Sequence, residues 1–202
     1  MADIFKALIA GSKSSTQAVR QPQSVEPMHD ITSSDVVCNV NPSPASETVS
    51  VAAGSTLGFQ LSTAMYHQGP VSIYLGKAPG AAADWDGSGA NWFKIAEWGA
   101  TSTKPFNFSS FMQTTFTTTI PQSVPSGEYL ARAENIALHL GTGVPEIFVS
   151  CAQISITNGG SGNPSKVSIP GYIAANDPSV IIDIYNADVT SYRVPGPDVY
   201  IG

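Results

Sequence analysis

The chain has 202 residues, 42% of them hydrophobic and only 12% charged, with a formal net charge of -6. That length supports one domain with a full apolar core and is short for two, and no apolar run reaches the roughly 20 residues that a membrane helix needs. The acidic balance argues against a nucleic-acid partner, which would require a basic stripe.

In chain order, Met1–Ala10 has neither the basic start nor the long apolar stretch of a secretory signal. Thr48-Val49-Ser50-Val51-Ala52-Ala53-Gly54-Ser55 predicts a strand running into a turn. Val71-Ser72-Ile73-Tyr74-Leu75 alternates apolar and polar side chains, which predicts a half-buried strand, and Thr114 to Ile120 does the same. Pro121 to Gly127 predicts a proline-stiffened turn into a strand over Glu128 to Glu134. A further strand is expected from Ile147 to Thr157, stopping at Asn158-Gly159-Gly160-Ser161-Gly162. No stretch keeps a helical period, and Asn176-Asp177-Pro178-Ser179 predicts a single turn. Many short strands separated by frequent turns predict an all-β antiparallel sandwich forming one domain over residues 1–202.

Few residues carry chemistry. Of the three histidines, His67 precedes a Gly69-Pro70 turn, from which a side chain can project on to a face or pack at the loop base. His139 follows an alternating strand and reads equally as a site residue or a half-buried core histidine; His29 reads as a surface residue. Cys38 and Cys151 lack the CxxC spacing of a zinc or redox site, which leaves two buried thiols or a disulfide. Asp84 and Asp86 flank Trp85, but glycoside hydrolysis needs two carboxyls facing across a cleft, so that run reads as a structural loop. The sequence has no phosphate loop, nucleophile elbow or adjacent Cys-His pair. Tyr192 and Tyr200 are the aromatics expected to stack on a sugar.

Two islands carry a resemblance: Ala64-Met65-Tyr66-His67-Gln68-Gly69-Pro70 with Tyr74-Leu75-Gly76-Lys77-Ala78-Pro79, and Arg132-Ala133-Glu134-Asn135-Ile136-Ala137-Leu138-His139 with Phe148-Val149-Ser150-Cys151-Ala152-Gln153-Ile154. Asp84–Gly89, Trp92–Ile95, Val167–Tyr172 and Val194–Pro197 extend it over nearly the whole chain. As a set they resemble the fungal lytic polysaccharide monooxygenases formerly classed as glycoside hydrolase family 61, now auxiliary activity family 9. The resemblance implies an immunoglobulin-like, fibronectin-like antiparallel β-sandwich with long loops. It implies a disulfide between Cys38 and Cys151, which would contribute about 4–5 kcal/mol by loop entropy and place the chain in an oxidising, secreted setting. It implies cellulose, hemicellulose or a fungal cell-wall glycan as partner; the sequence itself shows no internal repeat and no appended carbohydrate-binding module, and a monomer is expected.

The family's copper sits between the amino group and imidazole of an N-terminal His and an internal His, which matches His67 here. His139 matches the histidine that orients oxygen species. The family's Gln-x-Tyr reads Glu146-Ile147-Phe148, although related bacterial copper oxygenases use Glu and Phe in comparable places. Asn135 stands where the family commonly has His. Asp3-Ile4-Phe5 matches the residues after the brace, so Ala2 occupies the histidine position. On this reading the polypeptide as written binds copper weakly or not at all and is a diverged, non-oxidative, glycan-associated protein. The alternative is an active copper monooxygenase whose native first residue has been replaced by Met1 and Ala2. A structural or signalling sandwich is the third reading.

Overall fold

The structure is a computed structural model that describes residues 5–139 and 144–202. Among these, β1 (Phe5–Ala10), β2 (Lys13–Ser15), β3 (Val49–Ala52), β4 (Thr56–Leu61), β5 (Val71–Lys77) and β6 (Ala90–Trp98) are followed by β7 (Ala100–Thr103) and β8 (Phe106–Phe108). Then come β9 (Thr115–Thr119), β10 (Gly127–Ala137), β11 (Glu146–Thr157) and β12 (Val167–Ser168). One sheet has the order β2-β1-β4-β9; the other has β12-β6-β5-β10-β11-β3, and β7 and β8 form a separate hairpin. Pairing is antiparallel except between β11 and β3. This is the expected all-β sandwich.

Successive strand residues point to opposite faces, and the larger sheet uses both. Ile73, Leu75, Ala131, Ala133, Ile154 and Ile156 face the four-stranded sheet and share a core with Phe5, Leu8, Phe59 and Phe116. Phe5 meets Phe59 and Phe116 edge to face at 6.1 and 6.2 Å. The alternate set, including Tyr74, Trp92, Leu130, Val149 and Cys151, lies under the long loops, which contribute Val36, Val37, Trp85, Ile169 and Tyr172.

The second core corrects one expectation. Val71–Leu75 is not half-buried: all five residues are buried, Ser72 included, because loops cover the outer face. By contrast, β9 alternates as expected, with Phe116 buried and Thr115, Thr117 and Thr119 exposed. Cys38 and Cys151 are bonded, fastening the loop after Val37 to the middle of β11.

Beneath the loops lies a charge the apolar pattern does not announce. Arg132 is fully buried on β10; its guanidinium donates to the carbonyls of Val36 (2.7 Å) and Val37 (2.9 Å) and to Glu134 Oε2 (2.6 Å). The Tyr74 and Tyr172 rings flank it at 5.2 and 5.3 Å, and the Tyr172 hydroxyl donates to the same carboxylate. Burial alone would lower the Arg132 pKa, but the Glu134 carboxylate outweighs it and drives the pKa above the ordinary value.

Candidate metal site

The segment carrying His67 is held against the end of β10 almost as an extra strand. Leu138 N donates to Gln68 O (2.7 Å), Ile136 N to Pro70 O (3.1 Å) and Ser110 Oγ to Gly69 O (2.6 Å). Gly69 is required here for close approach, since a Cβ at that position would lie 2.0 Å from the Ile136 carbonyl oxygen. Asn135, fully buried, adds a side-chain bond from Nδ2 to Pro70 O (3.1 Å). Its role in this structure is therefore to pin the Gly69-Pro70 turn.

The β10–β11 register supplies the remaining groups. Asn135 pairs with Phe148 and Ala137 with Glu146, so the carboxylate sits at the sheet end beside His139, two residues past β10. Three side chains converge there. Glu146 Oε2 lies 3.6 Å from His67 Nε2 and 3.5 Å from His139 Nε2. The imidazole centroids are 5.0 Å apart, tilted by 48°. Phe148 stacks on the His67 ring at 4.8 Å and 27°, and Tyr66 lies against its own neighbour at 4.0 Å. His67 is buried, whereas His139 and Glu146 are half-buried.

These separations exceed an ordinary hydrogen bond and fit donors that share a cation. Ligands about 2.1 Å from a metal in tetrahedral array lie about 3.4 Å apart. Among the described residues, His67, His139 and Glu146 are the group of three such side chains whose ligand atoms fall within 4.8 Å of one another. Imidazole nitrogen suits copper, zinc, iron and nickel alike, so the residues present fit copper as well as other first-row cations. Phe148 presents a ring with no coordinating atom.

The first described strand begins near this cluster. Phe5 pairs with Leu61, shortly before the His67 segment, and lines one cavity with Phe148. Residues 1–4, on which the reading of Ala2 as the brace position rests, lie outside the described residues.

The other expected positions fall elsewhere. His29 is exposed, with Nδ1 3.0 Å from Pro145 O. Trp85 is buried against Trp92, and Asp86 accepts from Ser88 N, so that run is a structural loop. Tyr192 sits edge-on to Phe106 and Phe108 and donates to Ser179 O (2.9 Å); burial pushes its pKa far above the ordinary tyrosine value. Tyr200 is held by Phe93 and by a 2.7 Å bond to Ser123 Oγ. Neither ring lies open on a face.

The exposed rings are others. Tyr66, beside His67, is 41% exposed, and Tyr185 is 63% exposed. Tyr185 and Gln68 line one cleft of about 450 Å³ with Lys104 and Phe106. The sequence signal for Tyr185 was Asp183, whose carboxylate accepts from Tyr185 N (3.0 Å) and fixes an Asx turn.

The sequence matches the family described as Auxiliary Activity family 9 (formerly GH61) over residues 3–192. The chain belongs to that family. An AA9 family lytic polysaccharide monooxygenase E of Podospora anserina is 42% identical over 207 residues, covering 98% of this chain and 68% of the relative. An AA9 family lytic polysaccharide monooxygenase H of Malbranchea cinnamomea is also 42% identical, covering 98% of this chain and 90% of its own length. The crystal structure of a cellulose-active polysaccharide monooxygenase from M. thermophila superposes with a TM-score of 0.85 at 27% identity, covering 100% and 99% of the two chains. The β-sandwich is thus the AA9 fold, and the His67 cluster is this member's candidate centre. No helix among the described residues is long and apolar enough to cross a membrane.

Proposed function

We propose that this AA9 protein acts on polysaccharide, cellulose or hemicellulose, as a secreted, monomeric, single-domain copper-dependent oxygenase with His67 as its internal imidazole ligand. The observation that carries the reading is the convergence of His67, His139 and Glu146 at one sheet end, beside the exposed ring of Tyr66. Copper, when bound, supplies the one-electron chemistry that activates an oxygen co-substrate.

The chain's own residues prepare that chemistry. Stacking on Phe148, with the tilted Tyr66 ring in contact as well, fixes the plane of the His67 ring. Phe148 keeps water from one side of the site and offers no competing donor. His139 Nε2 stands 3.5 Å from the Glu146 carboxylate, which helps to set the direction of the ring at the edge of the site. Tyr66 and Tyr185 offer flat faces on which pyranose rings stack. The disulfide supports an extracellular setting.

A second reading, a non-oxidative glycan-associated protein, is favoured by Phe148 in place of a coordinating phenol and by Ala2 before Asp3. One comparison separates them: the chain as written against a variant that begins with His directly before Asp3. Each is incubated with cellulose or xylan, copper and a reductant. The oxygenase reading expects C1- or C4-oxidised oligosaccharides from the variant, abolished by chelator. Silence from both, with retention on the glycan, would establish the second reading instead.

A further inference from the structure

Three stretches of the chain read Asn-x-Ser: Asn41-Pro42-Ser43, Asn107-Phe108-Ser109 and Asn163-Pro164-Ser165. That is the acceptor pattern for N-linked oligosaccharide in secreted proteins, and proline at the middle position disqualifies the first and third. We infer that Asn107 carries an N-linked oligosaccharide. The inference rests on the secreted setting proposed above and on nothing else in that reading.

The structure presents this side chain to solvent. Asn107 lies in β8, whose burial alternates: Phe106 and Phe108 face inward against Tyr192, and Asn107 faces out. Its backbone carbonyl accepts from Thr101 Oγ1 (3.2 Å), and no described residue bonds its side-chain amide. Across the hairpin it pairs with Ser102, whose small side chain leaves room for a sugar beside the amide.

The chain order leaves the acceptor open long enough to be used. In the folded hairpin Ser109 Oγ donates to Gly99 O (3.1 Å), so the hydroxyl that the acceptor pattern requires is engaged there. Transfer therefore precedes closure of the hairpin. The residues that hold it closed come late. Val189, whose carbonyl accepts from Thr103 Oγ1, and Tyr192 both follow Asn107 by a long stretch of chain. So does Cys151, the second half of the disulfide. Among the described residues β7 and β8 pair only with each other, and an isolated hairpin is marginal in water. A nascent chain thus exposes Asn107 before the pieces that fix it exist.

The transfer uses a polyprenyl-diphosphate-linked oligosaccharide of the secretory membrane as donor. Asn107 Nδ2 bonds to C1 of its first N-acetylglucosamine, and the C1–O bond to the diphosphate breaks. The polyprenyl diphosphate leaves with the electron pair, and the amide gives one proton to a base of the transferase. On the finished protein the oligosaccharide stands on the outer face of the hairpin whose turn, Thr103 to Phe106, lines the cleft with Gln68 and Tyr185. A bulky hydrated group there also keeps another chain from pairing with the hairpin's free edges.

The test translates the full chain, fused behind a secretory leader, with microsomal membranes. Protection from added protease reads translocation, and a known glycoprotein in a parallel reaction reads transferase activity. Expected is one upward shift of the protected band, reversed by peptide N-glycosidase, which leaves a carboxylate at position 107 for peptide mass mapping to locate. Asn107→Gln and Ser109→Ala should each abolish the shift, whereas Ser109→Thr, which keeps the hydroxyl, should retain it. Secreted from yeast, the glycosylated protein should melt no lower than the enzymatically deglycosylated one. A protected band that does not shift, or a shift that survives Asn107→Gln, would overturn the inference and leave the secreted reading standing. Melting several degrees lower with the glycan attached would overturn the outward placement of Asn107. A chain that the leader cannot carry across, left unprotected, would sink the secreted reading and this inference with it.

Discussion

Removing either partner of the buried Arg132–Glu134 pair should destabilise the protein more than removing both charges together. Glu134→Gln leaves a fully buried guanidinium without a counter-charge, which costs about 3–5 kcal/mol. Arg132→Met leaves the Glu134 carboxylate, 2% exposed, with only the Tyr172 hydroxyl, and strips the Val36 and Val37 carbonyls of a donor. A similar 3–5 kcal/mol is expected there, out of a total stability of about 5–15 kcal/mol. In Arg132→Met/Glu134→Leu no charge is left. What remains is the unmet demand of the carbonyls and of the Tyr172 hydroxyl, about 1–3 kcal/mol for a fully unsatisfied group. The double variant should therefore fall short of the sum of the singles by about 2 kcal/mol or more. Urea unfolding read by the fluorescence of Trp85 and Trp92, which belong to the same cluster, measures all four proteins in one cycle. Additivity within about 0.5 kcal/mol, the behaviour of independent sites, would refute the electrostatic account and reduce the pair to packing.

Four other outcomes are expected. Cys38→Ala/Cys151→Ala removes a bridge of sequence separation 113 and should cost about 4–5 kcal/mol in urea unfolding; a loss below about 1 kcal/mol would mean that the unfolded chain stays constrained without it. Burial pushes the Tyr129 pKa up to about 12 and raises those of Tyr74 and Tyr172, against about 10 in the unfolded chain. Above pH ~10 the unfolded state therefore gives up protons that the native state keeps, and stability is lost as pH rises towards about 12; a melting temperature level from pH ~9 to ~11 would contradict this. Gly69→Ala puts a methyl 2.0 Å from the Ile136 carbonyl oxygen and should destabilise by about 1–3 kcal/mol, with metal affinity falling as His67 moves. Tyr185→Ala should weaken retention on cellulose by about 0.5–1.5 kcal/mol, a several-fold change in a pull-down, whereas Tyr192→Phe should leave retention unchanged.

What the sequence revealed and what it hid follow one physical division. Strands whose neighbours are local or whose outer face is wet, such as Thr115–Thr119, carry the period of two openly. The strand Val71–Lys77 carries the same alternation at its start, but its polar-looking face is buried by loops distant in sequence, and no local pattern records that cover. The same holds for the site. His67, His139, Glu146 and Phe148 were legible through resemblance, but their meeting point is set by strand register and by a glycine that lets two backbones touch. Exposure was the least legible quantity. Tyr192 and Tyr200 looked free and are held by aromatic neighbours and hydroxyl bonds. Tyr185, which went unremarked, stands open in the turn that the Asp183 carboxylate closes.

The division also explains why stability and function are joined in one strand. Along β10, Arg132 and Glu134 point to the loop-covered core, while Asn135 points to the other face and holds Pro70. The cation anchors the loop that ends in Cys38, and Cys38 is bonded to β11 opposite Arg132 itself. From that cross-link the β10–β11 ladder runs without a register shift to Phe148 and Glu146. A slip of one residue between these strands would turn every side chain of the moving strand to the opposite face, sending Glu146 away from both histidines. The buried ion pair and the disulfide lock the register some five residues from the metal donors. Their contribution to the site is therefore positional: they fix which face of the sheet end carries the carboxylate, and the short, polar His67 segment needs only to dock against it.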